Sequence, residues 1–131
     1  MDEGMFKERT NKFALAVVKL VEALPRTRTA DVLGRQLLRA GTSVGANYRA
    51  ACQGRSASDV AAKLGIVEEE ADESIYWMDL LVESGVVAAD RATSLKEEAN
   101  DLVAMTVASI KTLRTRNRSL DQQSVGPKPK I

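Results

Sequence analysis

The residues best equipped for chemistry are an acidic run, Glu68-Glu69-Glu70-Ala71-Asp72-Glu73, and the arginines upstream of it, Arg35, Arg39, Arg49 and Arg55. Clustered carboxylates can hold divalent cations or work as acid–base pairs, and long cationic side chains can hold phosphates. Carboxylate-bridged dimetal bundles, however, take Glu-x-x-His pairs from facing helices, and this chain contains no histidine. The arginine segment supplies no carboxylate beyond Asp31. A serine triad lacks its base for the same reason. The sequence therefore assigns no catalytic residue, no metal ligand and no cofactor, and the acids and arginines are expected to meet one another.

Four helical patterns must position these residues. Phe6, Phe13, Val17, Leu20 and Leu24 recur on one face of a helix over about 5–24, which Pro25 stops. Arg26-Thr27-Arg28 connects it to a second helix for which Thr29 is a suitable N-cap. Leu33, Leu37, Ala40, Val44, Tyr48 and Ala51 form its apolar stripe. Gly34, Gly41 and Gly45 inside that helix cost about 1 kcal/mol each against alanine, so a second backbone is expected to come close there. Ser56 and Asp59 have capping-box spacing before a third helix of about 58–84, with stripe Val60, Leu64, Val67, Ala71, Ile75, Met78 and Val82. Gly85 is placed to end it in a left-handed conformation, and Asp90 to cap a fourth helix running through Leu95, Ala99, Leu102, Thr106, Ser109 or Ile110, and Leu113. Short connectors make successive helices antiparallel neighbours. The expected fold is all-α, an up-down-up-down four-helix bundle over 1–116, followed by a disordered basic tail over 117–131.

A turn centred near Gly54 and Arg55 gives antiparallel partners whose residue numbers sum to roughly 109. Arg39 then faces Glu70 and Gln36 faces Glu73, and one turn of slack brings Arg39 to Glu69 or Glu73 instead. Gln36, Arg39, Ser43, Asn47, Glu69, Glu70 and Glu73 are the expected polar layer of this seam. Such a layer fixes helix register, and removing one partner leaves the other uncompensated. Partner binding is the competing use. Arg35, Arg39 and Arg49 also share an outward stripe with Thr42, Ala46 and Gln53, and Arg55 lies in the turn beyond. These four arginines are the candidate phosphate contacts, against the plainer reading of a solvated face or pairing with the third helix. Tyr48 is the only ring nearby, which gives base stacking little support. Tyr76 and Trp77 diverge by about 100° around the third helix, so one ring lies at the side of the bundle. It either packs beneath a neighbouring helix or anchors a subunit contact.

The net charge of +1 conceals blocks of +5 over 26–55, −9 over 56–104 and +5 over 105–131. Neighbouring helices that neutralise one another explain such alternation before binding faces are invoked. The lone Cys52 excludes an intrachain disulfide and suits a reducing compartment, where it is a small packing residue. No apolar run approaches the roughly 18 residues of a membrane span. The N-terminal MDEGMFKERTNKF has no apolar signal region, so a cytoplasmic protein without membrane association is expected.

The stretch Gln36-Leu37-Leu38-Arg39-Ala40-Gly41-Thr42-Ser43-Val44-Gly45-Ala46-Asn47 resembles the second-helix motif of the bacterial four-helix bundle proteins. These are also called 23S rRNA intervening-sequence proteins, because some are encoded in inserts within large-subunit ribosomal RNA genes. The resemblance continues through Tyr48-Arg49-Ala50-Ala51-Cys52, Ala61-Lys63-Leu64, Ile66-Val67-Glu68-Glu69-Glu70-Ala71-Asp72-Glu73 and Tyr76-Trp77, and spans roughly residues 5–115. It implies an antiparallel bundle assembled as a ring-like homopentamer, with no catalytic residues. A similar fold, the accessory variability protein of diversity-generating retroelements, has basic surfaces that bind nucleic acid and a reverse transcriptase. The implied partners are thus further copies of the chain, RNA or DNA, and a ribonucleoprotein. Leu38 and Ala50 depart from the arginine and glutamate common at those positions, which thins the basic face. The expected function is a non-enzymatic, homo-oligomeric scaffold that binds structured RNA through Arg35, Arg39, Arg49 and Arg55. The alternative is a module whose acidic third helix binds a basic protein.

Overall fold

The computed structural model describes residues 2–121, with side chains through Arg116. Four helices fill it: α1 (Glu3–Glu22), α2 (Arg28–Cys52), α3 (Ala57–Glu83) and α4 (Ala89–Asp121). No strand occurs among the described residues, and no helix there is long and apolar enough to cross a membrane.

Side chains next to the breaks set each boundary. Asp2 accepts from the Gly4 N–H at 2.9 Å and opens α1. The helix closes at Glu22, two residues before the expected end, because Pro25 denies the last turn a continuing donor. Thr27, not Thr29, caps α2. Its extended backbone (φ −121°, ψ 162°) turns Oγ1 onto the Ala30 N–H at 3.2 Å, which leaves Thr29 inside the first turn. Ser56 caps α3 through the Asp59 N–H at 3.1 Å, and Asp59 in return accepts from the Arg55 N–H at 3.0 Å. That backbone bond, followed by the bonds from Lys63, holds the Asp59 carboxyl below its usual pKa. Gly85 (φ 81°) ends α3, and the Val86 and Val87 N–H groups both reach back to the Leu81 carbonyl at 3.0 Å. Asp90 is the second residue of α4, inside its first turn rather than at the cap position expected for it. There its charge complements the positive end of the helix dipole. α4 runs on to Asp121, beyond Asn117 where the apolar pattern fails; the tail residues 122–131 lie outside the described residues.

The core follows the apolar stripes. Phe6, Phe13 and Val17 of α1, Leu37, Val44 and Tyr48 of α2, Val60, Leu64, Val67 and Met78 of α3, and Leu102 and Leu113 of α4 are shut off from solvent. Ile110 rather than Ser109 completes the α4 stripe. Leu81 and Ser74 of α3 are buried where Ile75 and Val82 were expected to be, and these two stay at the flanks. Three buried hydroxyls stay satisfied within their own helices: Thr10 donates to the Lys7 carbonyl (3.0 Å), Ser74 to Glu70 (2.8 Å) and Thr106 to Leu102 (2.6 Å). Tyr48 stacks on Phe6 with ring centroids 4.2 Å apart and planes 7° from parallel. Burial, helped by Cys52, pushes the Tyr48 phenol well above its ordinary pKa and keeps it neutral.

The glycines of α2 face α1. A Cβ on Gly41 would come within 2.8 and 2.9 Å of the two Val17 methyls, and one on Gly45 within 3.2 Å of the Thr10 hydroxyl. A Cβ on Gly34 would meet Leu24 Cδ1 at 2.8 Å. Residue numbers climb along α1 as they fall along α2, so these two helices run antiparallel in tight contact. The obstacle differs between sites: at Gly34 it is the flexible end of a leucine, at Gly41 a branched, fully buried valine. Gly34→Ala is therefore expected to be neutral or stabilising by up to about 1 kcal/mol, the helix-propensity gain. Gly41→Ala is expected to destabilise by about 1–2 kcal/mol, since overpacking outweighs that gain. Urea unfolding of both variants checks the pair.

Candidate nucleic-acid interface

The α2–α3 seam is built around Arg39. Its Nη1 donates to Glu70 Oε2 at 2.9 Å and its Nη2 makes a second short bond to Glu73. Gln36 Oε1 accepts a long bond from Arg39 Nε at 3.4 Å. Glu73 also accepts from the Trp77 indole N–H at 3.0 Å, which ties the ring to the clamp. The guanidinium is half exposed, but the Glu70 side chain retains only 15% of its exposure. Glu70 is thus the partner with most to lose. Glu69, one residue earlier, points to solvent and makes no ion pair among the described residues. Ser43 and Asn47 do not cross the seam: Ser43 donates to the Arg39 carbonyl at 2.7 Å and Asn47 to the Ser43 carbonyl at 2.8 Å. Short side chains find the free lone pair of a carbonyl one turn back before they can reach another helix.

The four arginines proposed as phosphate contacts are all exposed, yet only two offer unspent charge. Arg35 pairs with Asp31 one turn back at 2.6 Å, and Arg39 is clamped. Arg49 and Arg55 make no side-chain ion pair among the described residues. Arg49 lies in the last turn of α2 and Arg55 in the connection to α3, so both lie at the same end of the bundle. Arg26, Arg28 and Arg35 line a groove of about 610 Å³ at the opposite end, beside the α1–α2 connection.

Tyr76 is the exposed ring of its pair, 55% accessible, and Trp77 is half-buried against it, edge to face at 5.0 Å. Cys52 is buried at the end of α2. Among the described residues no three His, Cys, Asp or Glu side chains gather as a metal site.

Two cross-helix pairs were not foreseen. Arg9 of α1 bonds Glu98 of α4 at 2.5 and 3.1 Å, with Asp101 at 3.7 Å and the Met105 sulfur at 3.0 Å. Lys96 of α4 meets Asp79 of α3 at 2.5 Å. The Lys96–Asp79 hairpin register could have been found by the summing rule used for α2 and α3, whereas α1 and α4 share no connecting turn.

A four-helix bundle with polar clamps between helices and exposed arginines, unpaired among the described residues, at its surface is the class this arrangement defines. The chain belongs to the 23S rRNA-intervening sequence protein family, whose model matches residues 5–108. It is similar to a protein of unknown function from the S23 ribosomal protein family of Bacteroides thetaiotaomicron VPI-5482, known from a crystal structure. The two are 32% identical over 81% of this chain and 98% of that one, with a TM-score of 0.76. No curated protein matches.

Arg39→Met keeps the apolar stem of the side chain and leaves Glu70 without its cation. The loss is expected to be about 1–2 kcal/mol, between an exposed pair and a buried one. Glu69→Gln, on the solvent side, is expected to change stability by less than about 0.5 kcal/mol. Thermal unfolding at neutral pH compares them, and equal effects would count against the clamp.

Proposed function

We propose that the protein is a non-enzymatic scaffold whose four helices run up-down-up-down and whose copies assemble into a ring-like homopentamer that binds structured RNA. The observation that carries this reading is that Arg49 and Arg55 are exposed and make no side-chain ion pair among the described residues, in a member of the 23S rRNA-intervening sequence protein family. Phosphate contacts need long cationic side chains whose charge is not already spent. Arg35 contributes after exchanging an exposed i,i+4 pair worth only about 0.3–0.5 kcal/mol. Arg39 serves mainly to fix the seam. Tyr76, with Trp77 behind it, supplies the subunit contact, since an exposed aromatic braced by a second ring is a rigid anchor. The scaffold works in the cytoplasm.

A second reading draws on α3. Glu68, Glu69 and Asp72 make no ion pair among the described residues, and together they present an acidic face to a basic protein.

Anisotropy titration of the nuclease-treated protein with a structured large-subunit rRNA fragment is expected to show binding that weakens steeply with salt. Log K should fall with log salt by about 0.7–0.9 per phosphate contact. Absence of binding at low salt removes the RNA reading and leaves the basic protein partner. Sedimentation equilibrium is expected to return five times the 14.2 kDa chain mass, and Tyr76→Ala a smaller species of unchanged helicity. A monomeric wild-type protein would sink the ring.

A further inference from the structure

We infer that the RNA phosphates are held at the α2–α3 end of the bundle, in and around a cleft between the start of α3 and the last turns of α4, by Arg55, Lys111 and Arg114. This inference rests on the RNA-binding reading and assigns it a place that includes residues of α4.

The cleft has a volume of about 390 Å³ and is lined by Ala57, Ser58, Ala61, Ala62, Leu113 and Arg114. Three alanines make its floor on the α3 side, so nothing long enough to neutralise Arg114 rises from it. Arg114 is exposed, and Lys111, exposed as well, lies one turn earlier on α4 about 60° around the helix. Arg55 stands two residues before Ala57, which begins α3 and lines the same cleft. None of the three makes a side-chain ion pair among the described residues. Asp59, in the first turn of α3, is bound by the Arg55 backbone N–H and by Lys63 at 3.1 Å, and the Arg55 charge acts on it only more weakly, through space. Charge that is exposed, clustered and unspent is what a phosphate backbone recognises, and small side chains beneath it let the backbone approach. The opposite end of the bundle is different: Arg35 there is paired with Asp31, and Glu22 lines the same groove as Arg26 and Arg28. At the α2–α3 end, basic residues from two segments distant in sequence, Arg55 and the pair Lys111 and Arg114, come together.

The test compares two triple variants that remove the same charge: Arg55→Gln, Lys111→Gln and Arg114→Gln at the α2–α3 end, and Lys19→Gln, Arg26→Gln and Arg28→Gln at the other. All six residues are exposed, and circular dichroism checks that both variants fold. Binding of a structured rRNA fragment to wild type and both variants is followed across a salt series. The first variant is expected to bind about 100-fold more weakly at about 0.1 M salt, with a salt slope reduced by about 2–3. The second is expected to stay within a few-fold of wild type. Equal losses in both variants, or loss confined to the second, overturn the location and leave RNA binding standing. Wild-type protein that binds no RNA overturns the function and the location with it.

Discussion

Everything on the outside of this bundle depends on how closely α1 can approach α2. Gly34, Gly41 and Gly45 lie on one flank of α2, and the Val17 methyls occupy the space a Gly41 side chain would need. Each glycine weakens the isolated helix by about 1 kcal/mol, so the contact must return more than that in packing. With one flank of α2 drawn onto α1 and the other held to α3 by Arg39, only one face of the helix remains. That face carries Arg35, Thr42, Ala46 and Arg49. The glycines thus decide, from inside, which arginines solvent sees.

Electrostatics then divides the charges into spent and unspent. The run Glu68–Glu73 packs like charges within two turns of one helix, a strain that a neighbouring cation relieves. Arg39 takes Glu70 and Glu73, one turn apart on the flank facing α2, and leaves Glu68, Glu69 and Asp72 to water. Trp77 bonds to Glu73 and stiffens the arrangement. A pair of this kind adds little to net stability but disfavours every register in which Glu70 would be left alone. Arg9, Lys63 and Lys96 are consumed in the same way by Glu98, Asp59 and Asp79. What is left for a ligand is the charge that the fold does not use.

The parts of this arrangement that were legible in the sequence are those governed by local periodicity or by one short turn. The stripes of α1 and α2 and the Arg39–Glu70 pairing fall in this class, because a connector of a few residues around Gly54 leaves the register little freedom. The helix starts were read less well. Thr27 and Thr29 are chemically equivalent caps, and the choice between them depends on where the chain re-enters the bundle after Pro25. Ser43 and Asn47 were misplaced because their faces were right but their reach was not. The Arg9–Glu98 contact was beyond reading, since it joins the two helices farthest apart in the chain. Its geometry emerges only after three hairpins have been set.

The same distinction explains why blocks of charge in the sequence are poor guides to patches on the surface. The basic block 26–55 looks like one unit, but α2 contributes 25 of its residues and is therefore about 37 Å long. That is several times the roughly 8 Å over which exposed charges sense one another at physiological salt. Arg26 and Arg28 consequently act at one end of the molecule and Arg49 and Arg55 at the other. Lys111 and Arg114, more than fifty residues further on, share an end with Arg55 because the chain leaves along α3 and returns along α4, which sets Arg114 beside Ala57 and Ser58. A chain of net charge +1 can in this way present a surface to an anion that its overall charge does not suggest. It does so by pairing acids such as Glu70, Glu73 and Glu98 with bases across the seams, while Arg55, Lys111 and Arg114 make no side-chain ion pair among the described residues.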